Sequence, residues 1–244
     1  LPAVPAPAAK TVPAVPAPAT PLAVPAPTAP SPASAPSAAP AAKGETVRVR
    51  TDLLIAEIDT LGGTLSRVEL LKHKQAGDLS GNLVLLGPDH QYFAQSGLAG
   101  AAGPNHRSVW RAQPGARELA PGASSLEVRL SAESGDGLVV DKVFKFARDS
   151  YLVEVALEIR NNGAAAVTPF AYYQLTHDGK PEAGGNSVAQ TFGAQSFTGF
   201  AEYPEESKFQ KIAFSDLDKG KAEHVKRAAD GWIGFVQHYF VAAW

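Results

Sequence analysis

The chain has 244 residues, no cysteine and no methionine, and a formal net charge of −2. The missing cysteines exclude a disulfide framework, a thiolate metal site and a cysteine nucleophile. The near-neutral balance excludes a basic nucleic-acid surface, which needs clustered positive charge.

Residues 1–43 carry 13 of the 20 prolines and none of the 22 glycines. Their only charges are Lys10 and Lys43, and V-P-A-P recurs at Val4–Pro7, Val15–Pro18 and Val24–Pro27. Proline at this density removes helical donors and pushes each preceding residue towards extended geometry. Residues 1–44 therefore read as a Pro/Ala-rich disordered linker, semi-rigid and roughly 3.1 Å long per residue where extended. A proline-rich ligand is the alternative, but such ligands usually carry Arg or Lys beside the prolines.

From about residue 45 the apolar period changes to two. About 200 residues suffice for one core that buries roughly 70% of its unfolded surface. The expected strands are 46–60, 64–71, 82–86, 107–113, 167–176, 190–201, 208–214 and 231–244. Three more show strict alternation: Leu126, Val128 and Leu130; Phe144 and Phe146 around Lys145; and Tyr151, Val153, Val155, Leu157 and Ile159. Gly62-Gly63, Asp136-Gly137, Asn161-Asn162-Gly163 and Pro204-Glu205-Glu206 supply turns. Short helices are expected only near 218–228 and 72–80. Many closely spaced strands predict an all-β sandwich or barrel. Both faces of 231–244 are largely apolar, as in a central strand covered on both sides.

Signals for catalysis are weak. Six histidines, at 73, 90, 106, 177, 224 and 238, show no i, i+3 or i+4 pair and no H-E-x-x-H. No metal is expected from that spacing and the histidines read as surface or half-buried imidazoles, with a zinc site built from distant strands as the alternative. Ser96 lacks the upstream glycine of a nucleophile elbow. The Gly97–Gly103 run lacks a phosphate-loop spacing. Asp216-Leu217-Asp218 lacks the distal glutamate of a calcium loop. The one catalytic alternative is a sugar-binding or sugar-epimerising β-sandwich, with His177 and Glu202 as acid and base. No cofactor is expected. The most apolar run, Trp232–Trp244, has 13 residues, against about 20 for a membrane-spanning helix. With no methionine and no signal-peptide pattern, the chain reads as a soluble, processed or excised product.

Several segments resemble one family. Thr51-Asp52-Leu53 leading to Asp59-Thr60-Leu61-Gly62-Gly63 is similar to the opening strands of the large periplasmic domain of YidC-type bacterial membrane protein insertases. Tyr92-Phe93-Ala94-Gln95-Ser96-Gly97-Leu98 resembles its Q-S-G-L turn, and Thr198-Gly199-Phe200 through Lys208-Phe209 another of its segments. The most specific match runs from Gly231 and Trp232 through Gln237, Tyr239 and Phe240 to Trp244, similar to G-W-x-x-x-x-Q-x-Y-F-x-x-A-W. The resemblance covers about 45–244.

It implies a mostly antiparallel β-supersandwich, galactose-mutarotase-like in fold, with few short helices. It implies a non-catalytic domain on the periplasmic side of the inner membrane, part of a multi-pass protein. Its partners would be Sec translocon accessory subunits, with nascent membrane proteins handled by membrane helices outside this stretch. The family's domain continues further, so 45–244 is expected to be truncated at its C-terminal end. The sheet edge this leaves invites self-association. Gly62, Gly63, Gln95, Ser96, Gly97, Leu98, Gly231, Trp232, Gln237, Tyr239, Phe240 and Trp244 carry the resemblance, and a structural role is expected for them.

Overall fold

The computed structural model describes residues 44–75, 78–100, 103–135, 137–180, 197–237 and 239–244. The expected linker, apart from Gly44, and the first part of the expected strand 190–201 lie outside them. So does Asp136 of one predicted turn.

Three antiparallel sheets share one hydrophobic cluster. The first begins with β1 (Thr46–Arg50), β2 (Leu54–Asp59) and β3 (Thr64–Gln75), followed by β4 (Asp78–Leu86) and β5 (Phe93–Ala99). The second holds β6 (Arg111–Ala112), β7 (Ser125–Glu133), β8 (Leu138–Ala147) and β9 (Val153–Asn161). Next, β10 (Phe170–Thr176) returns to the first sheet, giving the order β1-β2-β3-β5-β10 with β4 paired to β3. The third comprises β11 (Thr198–Tyr203), β12 (Gln210–Ile212), β13 (Trp232–Gln237) and β14 (Phe240–Ala243), in the order β12-β11-β13-β14. One short helix, α1 (Phe214–Asp218), and a 3-10 turn at Pro88–His90 complete the described elements.

The core follows from the period-two pattern. Val47 and Val49 point inward from β1 while Thr46, Arg48 and Arg50 face out. On β7, Leu126, Val128, Leu130 and Ala132 are buried, and β8 answers with Leu138, Val140, Phe144 and Phe146. Each large apolar side chain removed from water stabilises the fold by about 1.5–3 kcal/mol. Strand β8 lies between β7 and β9 in register, with Phe144 opposite both Val128 and Val155. That central position explains why it is the most buried strand of its sheet.

The all-β architecture agrees with the sequence reading, and several boundaries are corrected. The expected strand 46–60 is a hairpin. Its turn forms because the Thr51 hydroxyl oxygen accepts the N–H groups of Leu53 and Leu54 at 3.2 and 3.1 Å, a local bond that competes with continued pairing. Residues 72–75 and 78–80 are not helical but belong to the paired strands β3 and β4. There Lys74 Nζ donates to Asn82 at 3.0 Å, and Asn82 donates on to Glu69 at 2.8 Å. The helix expected at 218–228 is displaced to Phe214–Asp218, and the Gly220 N–H bonds back to Leu217 O at 2.9 Å to end it. Of 107–113 only Arg111–Ala112 forms a strand, β6, while Val109 makes an isolated antiparallel bridge to Leu61. The stretch 231–244 folds back on itself between Gln237 and Phe240, so β13 is central and β14 has β13 as its only strand neighbour among the described residues. Gln95-Ser96-Gly97-Leu98 is no turn; it lies within β5.

Candidate functional site

Several of the residues singled out from sequence meet at two junctions. The first centres on a side chain that sequence reasoning passed over. Lys142, on β8, is wholly buried, and its ammonium donates to three carbonyl oxygens: Gly62 at 2.8 Å, Gly63 at 3.2 Å and Ser96 at 2.8 Å. The same nitrogen sits 4.6 Å from the centre of the Trp110 ring, over its electron-rich face. One lysine of the second sheet thus ties together the β2–β3 turn and strand β5 of the first. The turn presents its carbonyls inward because Gly62 and Gly63 take φ of 83° and 54°, conformations that side chains disfavour. Burial pushes the Lys142 pKa down to about 7. A lysine on the same strand face as Val140 and Phe144, two positions to either side, was the available signal.

The preceding residue on β8, Asp141, faces the other way and is also buried. Burial alone would raise its pKa; hydrogen bonds from the Ser131 hydroxyl and from Arg160, the latter at 2.9 Å, outweigh it and hold it below the usual carboxylate range.

The second junction joins the first and third sheets. Trp244 Nε1 donates to Gln174 O at 3.2 Å, and its ring lies 5.0 Å from that of Tyr173. Gln174 donates through its side chain to Gln95 at 2.6 Å across the β5–β10 pair. In the same pair Gly97 stands opposite Tyr172, and Leu98 is buried. Trp232, which opens β13 directly after Gly231, stacks on Tyr203 at 6.1 Å. Phe240 packs edge-on against His73 at 5.3 Å. Gln237 is buried, whereas Tyr239 is 84% exposed.

His177 and Glu202 are not brought together as an acid–base pair. His177 lies just beyond β10 in an aromatic cluster, 4.2 Å from Phe235 and 5.5 Å from Phe214. Burial is the main cause of its depressed pKa, with the neighbouring His90 adding to it. Its Nδ1 accepts the Gly179 N–H at 2.9 Å, while Glu202 accepts the Val225 N–H at 2.9 Å. Glu202 lines an open recess of about 200 Å³ with Asp230, Trp232 and Trp244; His177 is not among its lining residues.

No helix among the described residues is long and apolar enough to cross a membrane. Fold and junctions together define an all-β domain of cross-braced antiparallel sheets. Its residues 46–244 match the family model of the YidC periplasmic domain. Among similar proteins, the membrane protein insertase YidC of Aromatoleum aromaticum is 46% identical over 208 residues, 84% of this chain and 37% of that protein. Those of Nitrosospira multiformis and Nitrosomonas europaea are 44% and 45% identical over 82% of this chain, which covers 35% and 33% of theirs. The chain belongs to the YidC periplasmic domain family. It spans about a third of the length of these relatives.

Proposed function

We propose that this domain is a non-catalytic contact module of a membrane protein insertase. It would hold partner proteins on the periplasmic face of the inner membrane, Sec translocon accessory subunits among them. Insertion itself would belong to parts of the parent protein outside this span. The observation that carries the reading is the contrast within the third sheet. Its inner side is tied to the rest of the domain through Trp244 and Phe235, while Tyr239 and Val241 are 84 and 51% exposed. Exposed aromatic and aliphatic side chains on a braced scaffold suit protein docking.

The test is site-specific photocrosslinking in the full-length parent, with the crosslinker at Tyr239 or Val241. Crosslinks to Sec accessory subunits are expected there and not from the exposed Glu118. Equal labelling from all three positions, or none, would overturn the reading.

A sugar-binding reading is favoured by one observation: the recess beside Glu202 combines two indole rings with two carboxylates, the side chains that stack on and hydrogen-bond to sugar rings. Calorimetric titration with monosaccharides checks it. A heat of binding abolished by Glu202→Gln would support it, and its absence would remove it.

A further inference from the structure

We propose that His90, His177 and Asp178 form a binding site for a divalent transition-metal ion of the zinc class. The three residues come from two elements that the backbone already clamps together. His90 ends the Pro88–His90 turn, and His177 and Asp178 follow β10 directly. The Asp178 N–H donates to His90 O at 2.8 Å, and the Thr176 hydroxyl donates to Gln91 O at 3.1 Å. The two imidazoles lie nearly parallel, 5.3 Å apart at 5°.

One donor atom from each of the three residues lies within 4.8 Å of the other two. Asp178 Oδ1 is 3.4 Å from His90 Nδ1 and 3.6 Å from His177 Nδ1. These separations exceed a good N–H···O hydrogen bond. They match the roughly 3.4 Å edge that a tetrahedral ion imposes on ligands held at about 2.0–2.1 Å. His90 Nδ1 is buried and has no hydrogen-bond partner, a state that buried polar atoms rarely keep. A shared ion would satisfy it.

Two imidazoles and one carboxylate favour zinc, cobalt or nickel over magnesium or calcium, which prefer all-oxygen shells. Three protein ligands leave a fourth position for water. Two features moderate the affinity. His177 Nδ1 would surrender the Gly179 N–H, and Lys180 Nζ stands 3.5 Å from Asp178 Oδ2 as a competing cation. Bound there, the ion would lock the turn before β5 to the end of β10. It would stabilise the fold by mass action, because the unfolded chain has no such site.

The experiment uses the 244-residue chain, stripped with EDTA and dialysed. It is titrated with zinc chloride against a chromophoric chelator and melted with zinc or with magnesium. One bound equivalent and a melting temperature raised by zinc but not by magnesium are expected. His90→Ala and Asp178→Asn should each weaken binding by at least the roughly 10–100-fold that loss of even an outer-shell partner causes. His90 is partly exposed, with 26% of its side chain accessible, so its truncation leaves the core intact. Cobalt(II) supplies a readout that needs no variant, since the site predicts a tetrahedral visible spectrum. Zinc binding unchanged in both variants, no zinc binding, or only the spectrum of hydrated cobalt would overturn the proposal.

Discussion

Lys142 Nζ donates to Gly62 O at 2.8 Å across 80 residues of sequence. With Gly63 and Ser96 it completes three acceptors for the three protons of an ammonium. Lys142→Met keeps the apolar stem but orphans those carbonyls. Each buried acceptor left unsatisfied costs about 1–3 kcal/mol, partly offset here by no longer burying a charge. A net loss of about 2 kcal/mol is expected, read as a shift of the urea midpoint. Lys145→Met is the control. Its ion pair with Glu154 spans 3.4 Å between exposed side chains, and its removal should change stability by less than about 0.5 kcal/mol.

The same lysine gives the pH dependence a sign. Burial pushes its folded pKa down from 10.5 to about 7. Below that value both folded and unfolded chains hold the proton, and the contribution is flat. Between about 7 and 10.5 the unfolded chain keeps a proton that the folded chain has lost, so stability rises with pH. The difference between the parent chain and Lys142→Met should grow in the parent's favour from pH 6 to 9, by at most about 1.4 kcal/mol per unit. A flat difference would mean that the three carbonyls hold the ammonium charged throughout.

Gly62 carries a second constraint beyond its φ of 83°. A Cβ there would lie 2.3 Å from His106 O, whereas at Gly122, with φ 78°, it would meet nothing within 4 Å. Both alanine substitutions incur the roughly 1–2 kcal/mol cost of a left-handed side chain. Gly62→Ala adds a backbone clash and displaces the carbonyl that Lys142 uses. Thermal unfolding should therefore show Gly62→Ala well below Gly122→Ala. Equal melting temperatures would sink the claim that close approach, rather than φ alone, fixes this glycine.

What the sequence revealed follows from the range of the forces involved. Alternation along Leu126–Leu130 and around Lys145 is a local consequence of one buried face, and the burial of β7 and β8 was readable from it. Thr51 could have signalled the break in 46–60, because its hydroxyl acts on residues two and three positions ahead. The pairing of β3 with β4 is longer-range, settled by register and by the Lys74, Asn82 and Glu69 contacts rather than by propensity at 72–80. The Gly-Gly and Q-S-G-L segments were visible as motifs, but their common purpose was not. It depends on Lys142, 79 and 46 residues away from Gly63 and Ser96. His90 and His177 were likewise visible singly, and only the β5–β10 pairing sets them side by side.

Strand β14 pairs with β13 on one side and with no strand on the other among the described residues. Val241 and Ala243 lie exposed along it. An open apolar edge presents backbone donors and acceptors to any second strand, and a second copy of the chain supplies one. Sedimentation should therefore show concentration-dependent association of the 244-residue chain. Val241→Lys places a charge on that edge without touching the core, so it should return the chain to monomer. Its unfolding free energy should stay within about 0.5 kcal/mol of the parent's. Association that persists unchanged in Val241→Lys would locate the contact elsewhere and remove β14 from the account.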